Sequence, residues 1–157
     1  MTQQSIEDYL STHAFFSELD KQSKKFLSDT AGVVNIKQGD VLFKLGTSAD
    51  KFYLLKSGAI SVQVPALEGP SLEIQKLKAG QMLGWSWLIP PYRWNFQARA
   101  LEDSELLEFD GSIILAHCEE EPAFGYAVLK LFAGLMSERL DRARQKTMDQ
   151  WEPAGFA

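Results

Sequence analysis

Gly39-Asp40-Val41-Leu42-Phe43, then Gly46 and Ala49, the run Phe52-Tyr53-Leu54-Leu55, Gly58, and Ile60-Ser61-Val62 form the stretch on which the fold turns. Glycines at 39, 46, 58, 69, 80 and 84 recur at the interval expected when short strands are joined by tight turns. Ile60, Val62 and Val64 alternate with Ser61 and Gln63, and Phe96, Ala98 and Ala100 alternate with Gln97 and Arg99. That two-residue period belongs to strands with one buried face. The run Phe52 to Leu55 is apolar on both faces, which predicts a central strand. Residues that tolerate tight bends separate these pieces, at Gln38-Gly39-Asp40, Gly46-Thr47-Ser48, Ser57-Gly58 and Glu68-Gly69-Pro70. A β-sandwich or roll follows.

The flanks have a different period. Ile6, Tyr9 and Leu10, then Leu19, Phe26 and Leu27, recur at helical intervals. Short helices over residues 1–32 are therefore expected to cap a roll spanning 33–109. Asp110 suits the N-cap of a short helix through Ile113, Ile114 and Leu115, and Glu119 to Glu121 ahead of Pro122 marks a second helix start. The last helix is expected from Pro122 to Met148, inside a helical segment 110–149 of the same domain, with 150–157 as a loose tail. It carries two apolar stripes: Phe124, Val128, Leu131 and Leu135, and Leu129, Phe132, Met136, Leu140 and Ala143. One stripe can cover the roll while the other meets a partner helix; a single wide buried face is the alternative.

A chain of 157 residues, 45% hydrophobic, suffices for one core of ordinary size and hence one domain. No run approaches the roughly 20 apolar residues needed to span a bilayer. Met1 to Tyr9 is polar and acidic, unlike a secretory signal. The expectation is a cytoplasmic protein with no membrane partner. Cys118, alone, cannot form an internal disulfide and reads as a small, partly buried thiol.

The net charge of -5 opposes wrapping a polyanion, because phosphate-backbone affinity needs clustered Lys and Arg. Arg139, Arg142, Arg144 and Lys146 do gather, but they alternate with Glu138 and Asp141, the pattern of a solvated helical face. A metal-dependent jelly-roll enzyme would need several His and carboxylate ligands on facing strands. Only His13 and His117 exist, both in helical flanks. No Gly-rich nucleotide loop, nucleophile elbow or cysteine pair occurs. No catalytic or metal-binding residue is expected.

Together, Gly39 to Phe43, Gly46, Ala49, Phe52 to Leu55, Gly58 and Ile60 to Val62 resemble the first half of a cyclic-nucleotide-binding domain. The chain is similar to the sensor half of the bacterial catabolite-activator/fumarate-nitrate-regulator superfamily from about Phe15 to Arg144. The resemblance implies a mainly β fold with flanking helices: a double-stranded β-helix, or jelly-roll-like β-roll, with N-terminal helices and a long C-terminal helix. It also implies a short phosphate-binding helix after the sixth strand and, in the bacterial branch, a dimer seam along the long helix.

The family's phosphate cassette reads Gly-Glu-x-x-x-Leu, a variable loop, then Arg and small residues. Backbone N–H groups and the Arg hold the cyclic phosphate, and the Glu accepts a hydrogen bond from the ribose. Here the segment is Gly84-Trp85-Ser86-Trp87-Leu88-Ile89-Pro90-Pro91-Tyr92-Arg93-Trp94-Asn95-Phe96. Gly84 and Leu88 match, but Trp85 stands where the Glu belongs. Counting back from Arg99-Ala100 puts Trp94 at the Arg position, Asn95 and Phe96 at the small ones, and Arg93 one residue early. A ribose hydroxyl left without its acceptor costs about 1–3 kcal/mol, so cyclic AMP bound in the usual mode is not expected.

Two functional readings follow. In the first, Gly84, Trp85, Ser86, Arg93, Trp94 and Asn95 bind a small anionic or nucleotide-like ligand, whether a cyclic nucleotide or another small anion, and a stand-alone regulatory module signals through its last helix. In the second, the chain is a ligand-free protein-interaction scaffold, an accessory subunit of a transcription or signalling complex, whose aromatics at 85, 87, 92, 94 and 96 fill the vacated pocket or dock a protein. The second stripe predicts a homodimer through residues 122–148, beside an unidentified protein partner. The stretch after Met148 is too short for a helix-turn-helix, so direct DNA binding is not expected.

Overall fold

The computed structural model describes residues 1–150. Helix α1 (Gln3–Thr12) starts where the Thr2 hydroxyl accepts from the Ser5 N–H, and α2 (Lys21–Asp29) where the Asp20 carboxylate accepts from the Ser23 N–H. A single 3₁₀ turn, Ala14–Phe16, joins them. Then come β1 (Ala31–Ile36), β2 (Val41–Phe43), β3 (Lys51–Ser57), β4 (Ala59–Val64), β5 (Leu72–Lys78), β6 (Met82–Leu83), β7 (Gln97–Ala100) and β8 (Ser104–Asp110). Asp110 caps α3 (Gly111–Glu120), accepting from the Ser112 and Ile113 N–H groups, and α4 runs Pro122–Gln150. Gln150, expected in the tail, is the last residue of α4, and Trp151 to Ala157, where the rest of that tail is expected, lie outside the described residues. No helix among those described is long and apolar enough to cross a membrane.

The strands form two antiparallel sheets, ordered β1-β8-β3-β6 and β2-β7-β4-β5. Together they make the mainly β roll with flanking helices. The six glycines of the turn pattern all have positive φ, the conformation that tight turns ask of glycine. β3 lies inside its sheet, between β8 and β6, as its two-sided apolar run predicts. Its alternate residues feed two different cores. Tyr53 and Leu55, with Leu106 of β8, meet Ile60, Val62, Ala98 and Ala100 of the other sheet inside the roll. Phe52 and Leu54, with Leu107 and Phe109, face the helices and pack with Leu10, Phe16, Ile114, Phe124, Val128 and Phe132.

Phe52 is the centre of this second core. It pairs with Phe109 in register, their rings stacked at 4.4 Å and 5°, and Trp87 and Phe132 close in at 5.1 and 5.0 Å. β4 departs from simple alternation. Ser61, expected on the solvent side, is buried; its hydroxyl donates to Glu73 and accepts from the Gln63 amide, so a polar cross-strand network covers that face.

The two stripes of α4 do not separate as the sequence suggests. Phe132 joins Phe124 and Val128 on the buried face, whereas Leu129 and Leu140 are exposed. α3 and α4 meet at an elbow that requires Gly125: a Cβ there would lie 2.6 Å from the Cys118 carbonyl oxygen. Burial, then the charge of Glu119, pushes the Cys118 thiol up to about 11, as suits an unreactive structural cysteine. Replacing Phe52 with alanine is expected to cost about 3–5 kcal/mol in urea unfolding, while Leu67→Ala, at a fully exposed position between β4 and β5, should stay within about 0.5 kcal/mol.

Candidate ligand-binding site

The loop joining β6 to β7 carries every residue expected at the site. It is built of turns: the Leu88 N–H donates to the Trp85 carbonyl and the Tyr92 N–H to the Ile89 carbonyl, each at 3.0 Å. The short helix implied by the resemblance is therefore not formed. Pro90 and Pro91 explain the difference, since neither has an N–H to donate to the preceding turn.

The tryptophans are neighbours in sequence but diverge in space. Trp87 is buried on the helical side, against Phe52 and Phe132, and its indole N–H has no hydrogen-bond partner among the described residues. Trp94 turns the other way, into the roll, where it stacks on Phe43 at 3.7 Å and 11° with Phe96 alongside. Gly84, at φ 100°, lies under that ring; a Cβ there would come within 2.8 Å of it. Backbone shape and close approach both call for glycine at 84, with or without a ligand. Trp85 is half-buried and lies beneath α4, with the Arg139 guanidinium carbon 5.2 Å from its ring centroid.

Trp85 and Asn95 line a cavity of about 460 Å³ between the roll and α4. Ile74 and Phe96 contribute to its roll side, and Met136 and Leu140 to its helix side. Arg93 is not there. It is exposed, donates to the Gly46 carbonyl at 2.9 Å, and faces a separate cleft of about 450 Å³ with Ser48, Trp87 and Glu119. The Ser86 hydroxyl is buried without a hydrogen-bond partner among the described residues and lines neither cleft. The six expected residues thus divide: Trp85 and Asn95 on one cleft, Arg93 on another, Gly84 and Trp94 packed together at the roll, and Ser86 buried.

Sequence reasoning missed the helix side of the cleft. Arg142 and Arg144 do pair along α4, with Glu138 at 2.6 Å and Asp141 at 3.6 Å. Arg139 does not belong to that solvated face. One turn beyond Met136, it points at the roll, donates to the Met82 carbonyl and covers Trp85. Burial foremost, and then the like charge of Arg142, pull it down to about 10, against the pull of Glu138. Arg139 and Arg142, with Lys146, bring three cations to the 460 Å³ cavity, and among the described residues no carboxylate lines it.

A two-sheet roll with capping helices, a turn-built loop between its sixth and seventh strands and a long helix over that loop is the architecture of a cyclic-nucleotide-binding-type β-roll. The model of the cyclic nucleotide-binding domain matches residues 33–121, and the chain belongs to that family. It is 31% identical over 80 residues to the cAMP-dependent protein kinase regulatory subunit of Dictyostelium discoideum, a match covering 50% of this chain and 24% of that protein. The chain therefore matches about a quarter of the length of that curated relative.

Solved structures with the same fold include a cyclic nucleotide-binding domain from Methylobacillus flagellatus, with a TM-score of 0.78 at 14% identity, covering 98% of this chain and 86% of that one. The sensor domain of the transcriptional regulator DNR from Pseudomonas aeruginosa gives 0.71 at 20%, covering 88% and 93%. The regulatory subunit of a cAMP-independent protein kinase A from Trypanosoma cruzi, bound to guanosine, gives 0.62 at 16%, covering 84% and 51%.

Gly84→Ala is expected to lower stability by about 1–3 kcal/mol through the positive φ, with a further loss from the Trp94 contact. Adding Trp94→Leu to that variant should recover part of this further loss. Fully additive losses in a double-mutant cycle would show that residues 84 and 94 do not interact.

Proposed function

We propose that this domain is a non-catalytic sensor in which a small anionic or nucleotide-like ligand enters the cavity between the Gly84–Phe96 loop and α4, and that occupancy shifts α4 between two packings. The observation that carries this reading is the juxtaposition of Trp85 and Arg139. The residue that replaces the family's ribose-binding Glu touches the helix by which the domain would report. A ligand that binds one placement of α4 more tightly than another moves the equilibrium between them.

Cyclic AMP in the family's usual mode is not the ligand on this reading. Trp85 offers no acceptor to a ribose hydroxyl, and Trp94 stacked on Phe43 fills the roll beneath the loop. The guanosine-bound, cAMP-independent kinase subunit among the structural neighbours supports the idea that this fold holds nucleosides without a cyclic phosphate.

The same burial of Trp94 favours a second reading, a ligand-free scaffold that acts only through protein partners. In either case α4 offers an unpartnered seam. Tyr126, Leu129 and Ala133 fall at helical spacing on its exposed surface, away from the cavity, the pattern of a helix that pairs with a second copy.

A thermal-shift screen of cyclic mononucleotides, nucleosides and small organic acids separates the readings. A sensor ligand at a hundred times its dissociation constant should add about 2.7 kcal/mol of stability; stabilisation by none of them favours the scaffold. For the seam, sedimentation at tens of micromolar should give a dimer mass that Leu129→Glu converts to monomer. A monomer in the unsubstituted chain would refute pairing.

A further inference from the structure

We infer that the cavity beneath α4 selects an amphipathic organic anion, a carboxylate or sulfonate head on an aliphatic or aromatic body, with Arg139 as the head-group partner. This deepens the sensing reading and rests on it.

The cavity walls argue for the body. Ile74, Phe96, Met136 and Leu140 are apolar, Trp85 presents its ring, and Asn95 and Gln75 are the neutral polar side chains of the lining. A volume of about 460 Å³ suits a small molecule. Apolar atoms placed there would gain roughly 25 cal/mol for each Å² removed from water. A ribose and base would meet few of the acceptors their hydroxyl and amino groups need.

The cations argue for the head. Arg139 is half-buried, yet among the described residues no carboxylate lies within ion-pair distance of it. Glu138, the nearest acidic neighbour in sequence, is bonded to Arg142 at 2.6 Å. What satisfies Arg139 is one neutral carbonyl, that of Met82, and the face of Trp85. A guanidinium has five N–H donors in a planar fork that matches a carboxylate, so most of that capacity is unspent. Burying such a charge without a counter-ion is costly. Lys146, exposed at the same cavity, adds attraction for an anion and repulsion for a cation, while Arg142 beside it is already paired with Glu138. An incoming acid head would take up the Arg139 fork and draw on the contact with Trp85, altering how the helix is tied to the loop.

The test is titration of the full chain with sodium decanoate, decan-1-ol and decylammonium, followed by calorimetry and by tryptophan emission. Decanoate should bind saturably and change the emission, and Trp85→Phe should abolish that change. Decanol and decylammonium, with the same tail, should bind at least about tenfold more weakly, equivalent to about 1.4 kcal/mol. Raising the salt should weaken decanoate and leave decanol unaffected. Arg139→Gln should cost decanoate at least tenfold without changing decanol. Should that variant unfold, the exposed Lys146→Gln must still weaken decanoate severalfold and not decanol.

Equal binding of decanoate and decanol, or decanoate binding indifferent to both substitutions, overturns the inference. If a nucleoside or cyclic nucleotide binds at Trp85 and decanoate does not, the inference falls while the sensing reading stands. If nothing binds at Trp85, both fall.

Discussion

One strand holds the two halves of the molecule together. Phe52-Tyr53-Leu54-Leu55 is buried on both faces, so the sheet that contains it cannot face solvent on either side. Tyr53 and Leu55 close the interior of the roll, and Phe52 and Leu54 demand a cover of helices. The stacked Phe52 and Phe109 pair, locked in register between β3 and β8, then fixes where Phe132 and Trp87 sit. Because Phe132 is pinned, the portion of α4 beyond it must reach across toward the loop and β5. The cavity between roll and helix is a consequence of that overhang.

Within the loop the same pressure acts on each aromatic side chain separately. A tryptophan is too large to leave a gap unfilled, and interiors are packed to near-crystalline density. Trp87 and Trp94 each meet a different core, one on either side of the loop backbone, and only Trp85 is left between the loop and α4. Trp94, which the resemblance sets at the cassette's Arg position, is instead stacked on Phe43 inside the roll. The candidate site lies at the boundary with α4, where a ring and a guanidinium face each other.

Much of this was legible in the residues. Glycine spacing marked the turns, two-residue alternation marked the strands, and Thr2, Asp20 and Asp110 mark helix starts by hydrogen bonds that their side-chain oxygens accept; of the three, the sequence reading singled out Asp110. The loop resisted because nothing local says which way a tryptophan turns; Trp85, Trp87 and Trp94 are distinguished only by tertiary packing. The helix between 85 and 90 was implied by the resemblance, and the proline pair was the local signal against it. Arg139 was masked by its neighbours, since Glu138, Asp141, Arg142 and Arg144 do form surface pairs. Its spacing held a clue: it follows Phe132 by seven residues and Met136 by three, which places it on the face that covers the roll.

The central claim is that ligand occupancy is read where Trp85 meets α4. Hydrogen exchange measured with and without the strongest stabilising ligand tests it most directly. The account predicts added protection, or a clear change in it, in the Gly84–Phe96 loop and in α4 from Met136 to Lys146, with the sheets unaffected. Protection confined to the Arg93 and Glu119 cleft, or none along α4 in the presence of a bound ligand, would contradict it.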